Sequence, residues 1–139
     1  MDLEAVWGSG PNDIYVVGIG ALVLHSADAG TTWQRVTVPV SANIGLWDVW
    51  GSAANDVYIV GDRGTVLHGS VTNFSAVNIG GVTASVNDVW GASASDVYLF
   101  GASGLIMHGS VSGGFAKQMS GTSTDTLWYG WGSADGSDV

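Results

Sequence analysis

The chain has 139 residues, a length that suits one domain, and it carries 12 acidic residues against Arg35, Arg63 and Lys117, for a formal net charge of −9. That balance opposes a nucleic-acid backbone and an anionic membrane surface, so neither is expected as a partner. Cysteine is absent, which removes disulfides and thiolate metal sites and leaves the redox compartment open. The hydrophobic share of 46% is high, yet no apolar run is long enough for a transmembrane helix.

No segment keeps a helical period, whereas 22 glycines against 2 prolines fit many tight reversals. The expected class is all-β. At the start, Met1-Asp2-Leu3-Glu4 has neither the basic nor the apolar region of a secretory leader. The first unit is expected over residues 3–41, with strands at 3–7, 14–17, 21–25 and 33–38 and a Pro11-Asn12-Asp13 reversal. Gly18-Ile19-Gly20 sits between strands with no helix behind it, so it is no nucleotide site.

The same pattern returns over 46–79. Its expected strands are 46–50, 57–60, 65–68 and 74–79, with reversals at Ala53-Ala54-Asn55-Asp56 and Gly61-Asp62-Arg63-Gly64. A third unit covers 86–120, with strands at 88–90, 96–100 and 105–108. Residues 127–139 open a fourth with one strand. Trp7, Trp50, Trp90 and Trp131 recur at spacings of 43, 40 and 41, and His25, His68 and His108 each follow the tryptophan of their unit by 18. Four antiparallel strands per unit of about 40 residues make a β-propeller blade.

Two stretches resemble a known family. Ser26-Ala27-Asp28-Ala29-Gly30-Thr31-Thr32-Trp33 resembles the Asp box of the bacterial neuraminidase-like repeat (BNR) propellers. In that box an Asp accepts backbone N–H bonds across a turn, a Gly supplies positive φ and a Trp folds back under the hairpin. The resemblance implies that Asp28, Gly30 and Trp33 are structural. Asp-box hairpins occur in sialidases, sortilin-type receptors and photosystem II assembly factors, which share a propeller and not a reaction. The wider pattern, as in Val49-Trp50-Gly51-Ser52 with Asn55-Asp56-Val57-Tyr58 and Leu67-His68, is similar to repeats in propellers of myxobacteria and related environmental bacteria. Units two and three lack the box Asp and carry Phe74 and Phe115 where unit one has Trp33.

Three blades and one strand are too few for a ring of four to eight blades, and an open arc exposes an apolar face. The expected remedy is self-association as a homodimer, with six blades, or about seven if the extra strands build a composite blade. The alternative is that this is a piece of a longer propeller.

Among candidate sites, Trp7, Trp50, Trp90 and Trp131 read as wedges between neighbouring blades before they read as sugar platforms. Trp47 and Trp128 stand three residues before the repeated tryptophan, where the other units have Glu4 and Asn87. That variability makes them ligand candidates, together with the Asp62-Arg63 turn. Rotation about an axis keeps the three histidines apart, so they are expected to bond backbone at the end of the third strand and hold no metal. Asp13, Asp56 and Asp96 are read as turn residues, with calcium as a lesser reading. Asp48 and Asp88 lie on first strands and should line the central channel, where they bond water or, doubled by a second chain, hold a cation.

For function, a sialidase needs an arginine cluster and a Tyr assisted by Glu, and this chain has two arginines and one glutamate. The expectation is a non-catalytic scaffold or interaction module without a cofactor, binding a protein or glycan. A carbohydrate-binding lectin is the alternative and a glycosidase the third class. The low Lys and Glu content resembles bacterial extracellular proteins, which favours an extracellular or periplasmic setting.

Overall fold

Short apolar runs broken by glycine- and aspartate-bearing reversals pair with their sequence neighbours, and a computed structural model shows the result as three four-stranded antiparallel sheets. The structure describes residues 2–139; Met1, where the stretch read for a leader begins, lies outside them. The first sheet runs β1 (Leu3–Gly10), β2 (Asp13–Gly18), β3 (Leu22–Ser26), β4 (Gln34–Arg35) in that spatial order. The second is β5 (Leu46–Ala53), β6 (Asp56–Gly61), β7 (Thr65–Ser70), β8 (Asn73–Ala76), and the third β9 (Val86–Ser93), β10 (Asp96–Gly101), β11 (Ile106–Ser110), β12 (Gly114–Lys117). A single 3-10 turn, Asp62–Gly64, joins β6 to β7 with Arg63 in the left-handed region at φ 56°.

The register explains the repeat spacing. Trp50 pairs with Tyr58 and Tyr58 with His68, so the 18-residue interval is the path around two hairpins that returns to the same row. Trp7–Tyr15–His25 and Trp90–Tyr98–His108 are the equivalent rows. The strand limits differ from expectation in two ways. First strands run past the Gly-Ser pair through a bulge between Gly51 and Ala53, which leaves Ala54-Asn55 as the turn. The fourth strands of the first two sheets are shorter than expected, because an edge strand has a partner on one side and ends where its backbone reaches water.

First strands approach one another across both junctions, β1 against β5 and β5 against β9, and each second strand also meets the next first strand. The sheets therefore fan out from an inner edge. The cores lie between blades rather than inside any one of them. One joins Tyr15, Val17 and Val23 to Leu46, Ile59 and Phe74, and the next joins Tyr58, Val60 and Val66 to Val86, Leu99 and Met107. Central β6 is buried on both faces, which is why Val57-Tyr58-Ile59-Val60 is apolar without alternation.

The Trp-Gly pair has a steric reason. A Cβ on Gly51 would stand 2.7 Å from the Trp7 ring, and Gly91 and Gly132 lie under Trp50 and Trp90 in the same way. Trp7, Trp50 and Trp90 thus each lie on the glycine of the following unit. Residues 127–133, expected as the first strand of a fourth unit, form no strand here. They nevertheless hold the equivalent place, with Gly132 against Trp90 and the Gly130 N–H donating to Asp88 Oδ2 at 2.7 Å.

Candidate functional site: an inner cleft of aromatic and acidic residues

The fan places the same two positions of successive first strands side by side. Glu4 and Ala5, Trp47 and Asp48, Asn87 and Asp88, and Trp128 and Tyr129 line a cleft of about 220 Å³ on the inner edge. Larger grooves lie elsewhere, one of about 560 Å³ between the outer strands of the second and third sheets, lined largely by small and amide side chains. The inner cleft is smaller but gathers the acidic and aromatic groups. Trp47, Trp128, Asp48 and Asp88, picked out separately in the sequence, meet there.

Both carboxylates also tie blades together. Asp48 Oδ2 accepts the Val89 N–H at 2.9 Å, just as Asp88 Oδ2 accepts that of Gly130. Ala5 stands at this position in unit one and makes no such tie. Burial pushes the Asp48 carboxyl up to about 7; the Val89 N–H opposes the rise and the neighbouring Asp88 charge adds to it. Asp88 is likewise raised by burial, while the Gly130 N–H and a hydrogen bond from Asp48 pull it down. Among the described residues, no lysine or arginine forms an ion pair with either carboxylate.

The turn proposed as a ligand contact divides in two. Asp62 accepts hydrogen bonds from Trp47 Nε1 at 2.8 Å, the Gly45 N–H at 3.0 Å and Ser85 Oγ at 3.1 Å. It anchors Trp47 from behind, which fixes the ring in the cleft wall. Arg63 is exposed and outside the cleft lining, because its left-handed backbone turns that residue to solvent. Asn87, whose side-chain amide donates to the Leu127 carbonyl at 2.9 Å, and Tyr129 belong to the site and were not foreseen. Aligning the units on their tryptophans sets Asn87 in the column of Trp47, where it stands only as a contrast to the aromatic candidates, and sets Tyr129 in the column of Asp48.

The histidines bond turn aspartates rather than backbone. His25 Nε2 lies 2.8 Å from Asp13 Oδ1, and His68 and His108 each lie 2.5 Å from Asp56 and Asp96. The expectation of a backbone partner is corrected by the hairpin register, which brings the end of the third strand beside the start of the second. In two blades a serine joins the network: Ser9 and Ser52 donate to Asp13 and Asp56. The serine meets the carboxylate and not the imidazole, so the order lacks the base contact that activates a nucleophile.

At the β3–β4 hairpin, Asp28 accepts the Thr32 N–H at 2.8 Å, the Thr32 hydroxyl at 2.6 Å and the Ser26 hydroxyl at 2.9 Å. These bonds, the Thr32 hydroxyl foremost, hold its carboxyl below the usual range. Gly30 has φ 81° and faces the Trp33 ring.

No family model matches the chain, and no curated protein matches it. Solved structures do. YCF48 from Cyanidioschyzon merolae is 19% identical with a TM-score of 0.72, covering 83% of this chain and 39% of that one. A structure described as YCF48 bound to D1 peptide is 18% identical with the same TM-score and the same coverage. The chain thus spans about two fifths of the length of those structures, and it has the β-propeller fold as an arc of three blades with no closed sheet.

Proposed function

We propose that this propeller arc is a non-catalytic interaction module whose inner cleft receives a peptide segment bearing a lysine or arginine, and which completes its ring by associating with a second copy. The observation that carries the binding site is the meeting of Trp47, Trp128, Asp48 and Asp88 in one cleft, with both tryptophans in a column that varies between units. Aromatic faces attract a cation through their quadrupole, and partly buried carboxylates lacking a cationic partner gain most from receiving one. One of the YCF48 structures holds a D1 peptide, which supports a ligand of peptide class for this fold. Self-association is supported by apolar side chains left open on both outer faces, Val6 and Trp33 on one and Trp131 on the other.

The test is titration of tryptophan fluorescence with short peptides that differ by one Arg→Ala change. Binding should require the arginine, strengthen as pH rises through 7 with ionisation of Asp48, and weaken roughly tenfold in Asp88→Asn. Equal binding of both peptides would overturn the reading. A lectin is the second reading, favoured by the exposed Trp128 ring facing the cleft, and a glycan array that lights up where peptides do not would establish it.

A further inference from the structure

We propose that the outer face of the third blade is the docking surface for the first blade of a second copy, and that residues 127–133 compete for the inner half of that surface. This rests on the self-association reading and goes on to say which residues meet; in the closed ring Glu4 and Ala5 of the second copy take the cleft positions that Trp128 and Tyr129 hold in the single chain.

The two junctions inside the chain define what a junction requires. Each sets a Trp–Tyr–His row against a glycine and an aromatic ring of the following blade. Trp7 lies on Gly51 while Tyr15 meets Phe74 edge-on at 6.1 Å. Trp50 lies on Gly91 while Tyr58 meets Phe115 edge-on at 6.2 Å. The outer hairpin adds a bond at the second junction, where the Val111 N–H donates to Tyr58 Oη at 3.1 Å.

The third blade carries the same row, and half of it lacks its partner. Trp90 lies tilted beside Tyr98 at 6.2 Å and Tyr98 stacks on His108 at 4.1 Å, yet the ring meeting Tyr98 besides these is its own neighbour Phe100. The first blade offers the missing half. Gly8, the counterpart of Gly51 and Gly91, is exposed, and Trp33 is 40% exposed. Trp33 precedes Gln34, which pairs with His25, just as Phe74 and Phe115 precede the partners of His68 and His108. One face therefore has a Trp–Tyr row seeking a glycine and a ring, and the other has a glycine and a ring seeking such a row.

The occupant is a second copy because these two faces are the halves of an interface the chain already forms twice. Two such head-to-tail contacts related by a twofold axis close without leaving a free face. The incoming blade meets a rival. Gly132 already lies on Trp90 and the Gly130 N–H already binds Asp88, at the positions that Gly8 and Val6 of the second copy must take. The rival is held through glycine and backbone, and its own Trp131 ring is 75% exposed.

Analytical ultracentrifugation of the full chain beside Gly132→Val and Trp33→Ser tests this. A side chain at 132 collides with Trp90 and should free the surface, tightening the dimer roughly tenfold, while Trp33→Ser should weaken it by at least as much. The Trp33 variant should keep the circular dichroism and melting of the isolated monomer. A dimer indifferent to both changes, or one that loosens in Gly132→Val, overturns the proposed surfaces and leaves self-association standing. A monomer in all three proteins at roughly 100 μM overturns both.

Discussion

The interior junctions and the outer faces are built from the same residues and differ in what lies over them. Tyr58 is 1% exposed beneath the third blade, whereas Tyr98, its counterpart, is half-buried. Phe74 is 4% exposed where it meets Tyr15, and Trp33, in the corresponding column, is 40% exposed. The His–Asp pairs follow suit, with the His25 side chain 11% exposed and that of His108 36%. Burial in this fold is therefore conferred by the next blade and not by the residue type. Stability is a sum over neighbour contacts, and a blade without a neighbour contributes less.

Paired substitutions sharpen that contrast. The largest effect is expected for Phe74→Ala, which empties a closed junction and should cost about 3–5 kcal/mol in urea unfolding, against under ~1 kcal/mol for Trp33→Ala measured on the dilute monomer. Equal costs would break the comparison. Next, Gly91→Ala should cost about 1–3 kcal/mol, because the added methyl overlaps the Trp50 ring, and Gly80→Ala at an open loop should show only the smaller penalty of its positive φ.

A pH effect of similar or smaller size is expected at the cleft. The folded Asp48 carboxyl keeps its proton to about 7, and the unfolded one releases it near 3.8. Between those values the folded state binds more protons, so stability falls as pH rises through that window. Relative to Asp48→Asn, which can still accept the Val89 N–H, the wild type should lose on the order of 2 kcal/mol from about pH 4 to about pH 8. A flat difference would remove the buried carboxyl pair from the account. The smallest contrast is His25→Ala against His108→Ala, where the more buried pair should cost about 1 kcal/mol more by thermal melting.

Much of the architecture was legible because the repeat fixes register. The 18-residue Trp-to-His interval encodes two hairpins, and Gly51, Gly91 and Gly132, each following a repeated tryptophan, record the ring of the preceding unit that lies upon them. The site was legible only in pieces. Trp47 and Asp48 could be singled out by their place in the unit, but their meeting with Trp128 and Asp88 depends on the rotation between blades, a long-range quantity that no local spacing carries. The histidine partner was missed for a related reason. His68 and Asp56 are 12 residues apart, and they meet through the hairpin register; each residue taken alone reads as a turn or strand-end group. Arg63 was grouped with Asp62 by adjacency, although a left-handed backbone at that residue sends the two side chains to different places.

The central claim is that this arc has two mutually complementary open faces, and its mass in solution tests that most directly. Light scattering across roughly 1–100 μM should show a concentration-dependent rise from the 14.2 kDa chain toward twice that mass. A particle that stays at 14.2 kDa throughout would contradict it.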